Sequence, residues 1–414
     1  MFHKLRERFN SSPYLKKIAA LFSATLIGQL LPFIFVPILS RLYTPEAYSV
    51  FGVFMVIAGV ISQIGTLKLD QALLIPSSHD DAIRLAKTSL LSLLMVSALS
   101  FPLLLLYFTD HFFTLYVSLA SVVLGAGLIF LQLANRMNYN KTIGLNKLVL
   151  GVSVSITQTI FSVFQGGLML GKLTGDSLAM IPFLHRYAKS ILTTKAKSPS
   201  LVWAKYRKFP LITLPHTLFN TIGNKLPTLI FAYLGLAQLS GEYENVFRLG
   251  MAPITIIAQA LYLSFSSRFV ELHQQNELVL PFIKKNLKGI LLTVVLPMVP
   301  FLIISPWVIP KLLGEQWENS GIFFLLLSPL MISTVLASPF VYIMQYVQKQ
   351  HIAFGLEVLI NGFKLAGLVI GLQISNYWGL FLFSLFGAIG HVIYLLYSLN
   401  LVKKMDLNLP KSEK

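Results

Sequence analysis

Residues Ile18 to Leu39 read IAALFSATLIGQLLPFIFVPIL, 22 residues without a charge. At roughly 1.5 Å per residue, a helix of that length crosses a hydrocarbon core of about 30 Å. Basic residues precede it (Lys4, Arg6, Arg8, Lys16, Lys17), as in a signal peptide. No small-residue cleavage site follows, however, and Pro32 and Pro37 lie inside the stretch, so it reads as a retained first transmembrane helix.

Eleven further apolar stretches follow at 47–66, 88–108, 112–134, 148–170, 173–192, 211–235, 246–266, 289–310, 321–346, 353–374 and 377–400. The sixth, at 173–192, has Lys172, Asp176, His185 and Arg186 near its ends and reads alternatively as a partly buried or interfacial segment. The whole 414-residue chain carries only 12% charged residues against 55% hydrophobic ones, and its mean hydropathy is +0.72. Soluble domains carry about 25% charged residues, so the bilayer is the main solvent. The expectation is an all-α polytopic membrane protein of about twelve transmembrane helices.

The net charge of +17 comes from 33 Lys and Arg against 16 Asp and Glu. With twelve spans, 27 of those 33 basic residues fall on the side of the N-terminus, four (Arg41, Lys172, Arg248, Lys311) on the opposite side, and two (Lys225, Lys364) within spans. By the positive-inside rule both termini are cytoplasmic, and most of the basic charge is topology, with no call for nucleic acid. The expected location is a bacterial inner membrane, crossed many times. There is no cysteine, and the eight histidines are scattered. No catalytic signature is present: HExxH, GxSxG and a GxxxxGK[ST] phosphate loop are all missing, and Asp80-Asp81 lacks a metal-binding DxD spacing. The sequence therefore predicts neither an enzyme nor a cofactor nor a metal site.

An internal repeat divides the chain. IG-x-x-LP occurs at Ile27 to Pro32 and at Ile222 to Pro227, and Tyr48 and Tyr243 each stand sixteen residues beyond the proline, all offset by 195 residues. Six plus six spans gives two halves of the same orientation, able to rock about a central cavity. The expected division is an N-lobe at 1–192, a basic cytoplasmic linker at 193–210 and a C-lobe at 211–414.

Charges inside spans are costly, about 3 kcal/mol at the helix centre. Lys225 in span seven, with Thr217, Asn220, Asn224 and Thr228 at helical spacing, reads as a cationic, hydrogen-bonding wall for an anionic head group; the plainer alternative is a lysine that snorkels or pairs with a neighbour. Lys364 in span eleven, with Asn361 at i−3, is a second candidate, and Glu357 at i−7 could couple a proton or cation. Arg41 and Arg248, placed at the outer ends of spans one and eight, suit bidentate phosphate contacts or interfacial anchoring. Asp70 beside Lys68 is either an ion-coupling group or a local ion pair. Gln29, Gln63 and Gln259 could line the same cavity.

The order of several short motifs resembles the Wzx-type O-antigen and polysaccharide flippases of the multidrug/oligosaccharidyl-lipid/polysaccharide exporter superfamily. The carrying residues are SRLYTPEAYSVFGVF (Ser40 to Phe54), KLDQALLIP (Lys68 to Pro76), YRKFPLITLPHTLFN (Tyr206 to Asn220), LPTLIFAYLG (Leu226 to Gly235), GEYENVFRLGMAPITIIAQA (Gly241 to Ala260), LLGEQW (Leu312 to Trp317) and LLSPL (Leu326 to Leu330). The resemblance implies a MATE-like, V-shaped pair of six-helix lobes with alternating access. Its substrate would be a polyprenyl pyrophosphate bearing an oligosaccharide, with H+ or Na+ as coupling ion and membrane lipids around it. The implied state is a monomer, with the polysaccharide polymerase machinery as a candidate associate. A cation/drug antiporter of the same fold is the alternative; it would favour acidic residues deep in the first lobe, where none is seen. The chain departs from the family in its polar sixth span and in having Arg41 as the one cationic candidate of its first lobe.

Overall fold

The computed structural model describes residue 28 and residues 30–407. Residues 18–27 of the expected first span, and Gln29, lie outside the described residues. The described chain is helical throughout, with no strand. Helix α1 is Leu30–Leu42. Next come α2 Pro45–Thr66, α3 Leu69–Ala72, α4 His79–Leu105, α5 His111–Arg136, α6 Asn140–Ile160, α7 Gly167–Ala179, α8 Ile181–Thr193, α9 Pro199–Tyr206 and α10 Leu214–Asn224. The remainder is α11 Leu226–Tyr233, α12 Ala237–Gln274, α13 Val279–Ile290, α14 Leu296–Leu313, α15 Ser320–Leu326, α16 Ser328–Ala337, α17 Val341–Tyr346, α18 Gln350–Leu372 and α19 Asn376–Leu407.

Among the described residues, nine helical runs are long and apolar enough to cross a membrane. Of the other three expected spans, the first is described only in part, as α1, and two are interrupted: the pair α7 and α8, which meet at Met180, and the pair α10 and α11, which meet at Lys225. Two boundaries differ from the apolar reading. Helix α6 ends at Ile160 and α7 starts at Gly167, whereas the apolar run continues to 170. The chain turns there on Gly166, whose φ of +76° suits glycine, and hydropathy does not register that turn. Helix α12 starts at Ala237 rather than at 246, because Glu242, Glu244, Asn245 and Arg248 dilute the apolarity of its first turns.

The chain divides into two compact units, the first ending at Ile222 and the second beginning at Gly223. In the first unit, connections 43–44, 106–110 and 161–166 close one end of the helices, and connections 67–78, 137–139 and 194–198 close the other. The second of these ends is basic and tightly tied. Arg136 donates to the carbonyls of Leu73 (3.1 Å), Ser78 (3.3 Å) and Pro76, and in the core of the same unit Phe130 stacks with Phe183 and Tyr187. Helices α6 and α7 approach closely at Gly171 and Gly175, which face Gln158 and Val154. Thr157 and Ser153 donate to the glycine carbonyls across that seam at 2.6 and 2.8 Å, the packing expected where lipid supplies no hydrophobic drive between helices.

In the second unit, α18 and α19 form a similar hairpin, with Gly367 and Gly371 against the backbone of Leu382 and Trp378. Phe265, Phe269, Phe340 and Tyr394 fill a core. Asp406 of α19 accepts from the backbone N–H groups of Val279 and Leu280 at 3.0 and 2.8 Å, capping the start of α13. Tyr48 and Tyr243, matched by the repeat, are both fully buried.

Candidate functional site

The interruption between α10 and α11 builds the site. Pro227 has no N–H to give to the helical ladder, and Lys225, at φ −112° and ψ 9°, leaves helical geometry just ahead of it. A break inside a membrane helix leaves backbone groups that need other partners. One is supplied by Tyr243 of α12, whose Oη donates to the Asn224 carbonyl at 3.1 Å.

At the break, Lys225 Nζ lies 2.6 and 2.8 Å from the two carboxylate oxygens of Glu244. Thr228 Oγ1, one turn into α11, donates to Glu244 Oε2 at 3.0 Å, and the ammonium also sits 4.5 Å from the centroid of the Phe247 ring. Lys225 therefore does not stand alone. Its charge is met by a carboxylate, a hydroxyl fixes that carboxylate, and an aromatic face covers the cation. Glu244 is 5% exposed, so the pair is largely desolvated, and removing either member strands the other.

Lys364 of α18 joins the same site from the other side of α10. Its Nζ donates to Asn224 Oδ1 at 2.9 Å, and its aliphatic stem packs on Gly387 of α19. It is 4% exposed, and its acceptor is an amide rather than a carboxylate. Asn361, one turn before it, is pressed against Gly223, where a Cβ would collide with Asn361 Oδ1. Lys225, Asn224, Asn361 and Lys364 are thus brought together, the first two at the helix break and the last two on α18. Arg248 lies one turn beyond Glu244, inside α12 rather than at a helix end; this corrects its expected placement and follows from the earlier start of that helix. Its Nη1 is buried with no hydrogen-bond partner among the described residues.

The remaining predicted residues are dispersed. Asn220 is half-buried on α10, one turn before Asn224, and Glu357 is half-buried on α18, two turns before Lys364. Arg41 is exposed at the end of α1. Asp70 is 2% exposed in the short α3, with no partner for Oδ1 among the described residues. Burial pushes its carboxyl above the usual carboxylate range and the Lys68 ammonium draws it back. Gln63 donates to Thr221 Oγ1 at 3.0 Å. Glu244 and Thr228 complete the site, and only Thr228 stood out in the sequence. The available signal for Glu244 was the repeat: Leu30 and Ser49 stand where Lys225 and Glu244 stand 195 residues later, so a cation and an anion enter the same unit together.

Residues 38–322 match the family described as polysaccharide biosynthesis protein. A search of curated proteins finds no match. Among solved structures, the chain is similar to the lipid II flippase MurJ in an inward closed conformation, at 15% identity and a TM-score of 0.68, covering 95% of this chain and 90% of that one. It is also similar to an outward-facing MATE family multidrug transporter of the MOP superfamily, at 11% identity and a TM-score of 0.64, covering 95% and 97%. At such identities the likeness is one of fold. The match over residues 38–322, which spans most of the helical chain, places this protein in the polysaccharide biosynthesis protein family.

Proposed function

We propose that this protein is a flippase that carries a polyprenyl-pyrophosphate-linked oligosaccharide, such as an O-antigen repeat unit, from the cytoplasmic to the outer leaflet of the inner membrane by alternating access. The observation that carries the reading is the cationic cluster at the broken helix. Lys364 is held by a neutral amide, which leaves its ammonium without a counter-carboxylate in hydrogen-bond contact among the described residues, while Lys225 is held in place by Glu244. A pyrophosphate can accept hydrogen bonds from both ammonium groups, with Asn224, Asn361 and Asn220 as further donors and Arg248 and Arg41 as phosphate contacts along its route. Glu357 and Asp70 are the candidates for coupling to H+ or Na+. The lobes that alternate are the six-helix halves joined by the basic 193–210 connection, whose charge suits the anionic cytoplasmic leaflet. Family membership and the MurJ likeness support a lipid-linked substrate.

The test is export of surface polysaccharide by cells that depend on this protein. Lys364→Ala is expected to lower export at least tenfold at unchanged protein level in the membrane, and Lys364→Arg to retain part of it. Wild-type export by Lys364→Ala would remove the assigned role, and resistance to cationic drugs conferred by the wild type would favour the antiporter reading instead.

A further inference from the structure

The first unit contains a second concave site that the cationic cluster does not use. At the end closed by connections 43–44, 106–110 and 161–166, a cavity of about 890 Å³ opens among α1, α2, α5 and α7. That volume lies within the ~300–1,000 Å³ typical of ligand pockets. Among the described residues its lining contains no Lys, Arg or His; the charged side chains there are Glu46 and Asp110, both carboxylates. Around them stand the rings of Phe112, Phe113, Tyr116 and Phe164, with Phe112 71% and Phe164 56% exposed. In a chain whose net charge is +17, an acidic and aromatic pocket is a departure from the average.

The walls are preformed. Asp110 Oδ1 caps α5 by accepting from the N–H groups of Phe112 and Phe113 at 2.9 and 3.1 Å, which leaves Oδ2 as an acceptor for a ligand. Thr44 caps α2 and so fixes Glu46 in its first turn. Tyr43 Oη donates to the Gln158 carbonyl at 2.6 Å, and Gly167 packs so closely beneath it that a Cβ would strike both the Tyr43 hydroxyl and the Phe161 carbonyl. Phe108 and Phe113 rings meet at 4.9 Å, holding the base of the aromatic wall.

Exposed ring faces beside carboxylate acceptors form a surface that suits sugars. The apolar C–H face of a pyranose packs on an aromatic ring, hydroxyls donate to carboxylates, and a sugar amine adds ionic attraction. A phosphate or uronate would be repelled by the two carboxylates. We propose that this pocket is a glycan subsite for uncharged or amino-bearing sugar residues, separate from the pyrophosphate contacts at Lys225 and Lys364. It extends the flippase reading, on which it rests for the source of the glycan. On that topology the pocket opens on the outer face, where the oligosaccharide emerges.

The experiment is calorimetric titration of the full chain in lipid nanodiscs with three free trisaccharides: an N-acetylglucosamine trimer, a glucosamine trimer and a galacturonate trimer. The neutral and amino trimers are expected to bind, and the galacturonate trimer at least tenfold more weakly. Tyr116→Ala and Phe164→Ala should each weaken the neutral trimer tenfold or more, whereas Glu46→Gln should erase the advantage of the amino trimer and spare the neutral one. Thermal melting of each variant establishes that it is folded. Absence of binding by wild type, or binding unchanged in both aromatic variants, would overturn the subsite. Either outcome leaves the export test of Lys364→Ala untouched, so the two readings fail separately.

Discussion

The Lys225–Glu244 pair illustrates how a costly charge is retained in a membrane helix. A buried pair gains little over an apolar pair of the same volume, yet breaking it from one side costs about 3–5 kcal/mol. Lys225→Met, which leaves Glu244 with Thr228 alone, is therefore expected to lower stability by that order, read from denaturant titration in detergent. The double variant Lys225→Met with Glu244→Leu should recover most of the loss while export stays low. Recovery of export together with stability would mean that the pair is purely structural. Half of this pair was legible in the sequence, because a lysine inside an apolar span is conspicuous. Glu244 was not, since it lies in the polar opening turns of α12 that hydropathy assigns to a loop. Its proximity to Lys225 depends on how α11 turns back into α12 rather than on any sequence spacing.

At the level of helices, the features that hydropathy reads well are the long uninterrupted ones, such as α5 and α19. The features it misreads are the breaks at Met180 and Lys225 and the glycine turn at Gly166, where composition stays apolar while the backbone changes direction. The closely packed hairpins are partly visible as Gly171 and Gly175 in α7 and as Gly367 and Gly371 in α18, one turn apart on a helix face. Which helix each glycine pair meets is known only from the fold. The α18 hairpin also carries Lys364. Gly371→Leu would drive a side chain into the Trp378 carbonyl and force α18 away from α19, withdrawing the stem of Lys364 from Gly387. The expected outcome is a lowered melting temperature and lost export together. Gly362→Leu, on the same helix at a position where an added Cβ meets nothing within 4 Å, should leave melting unchanged. Equal melting of the two variants would show that the close approach contributes no stability.

For the molecule as a whole, the lopsided placement of its basic residues argues for one orientation in the membrane. With twelve spans, 27 Lys and Arg fall on one side and four on the other, a strong bias by the positive-inside rule that adding or deleting one span near the middle would erase. The nine clear runs, the two interrupted ones and the partly described first helix accommodate that count, and the first unit independently separates its connections into a basic end and an acidic, aromatic end. The chain has no cysteine, so single cysteines report accessibility without background. Thr109→Cys and Ser375→Cys are expected to react with a membrane-impermeant maleimide in intact cells. Ser77→Cys and Ser198→Cys should react only after permeabilisation. The four positions test different parts of the count: Thr109 and Ser77 flank α4, while Ser198 and Ser375 bracket the interrupted seventh helix and the four helical runs from α12 to α18. If Ser375→Cys labelled like Ser77→Cys while Thr109→Cys and Ser198→Cys behaved as expected, an odd number of the five helical runs between Ser198 and Ser375 would fail to span, and the run broken at Lys225, with a lysine at its break, is the one that composition marks. The cationic cluster would then lie at a membrane surface, where its charges are cheap and need no substrate to explain them.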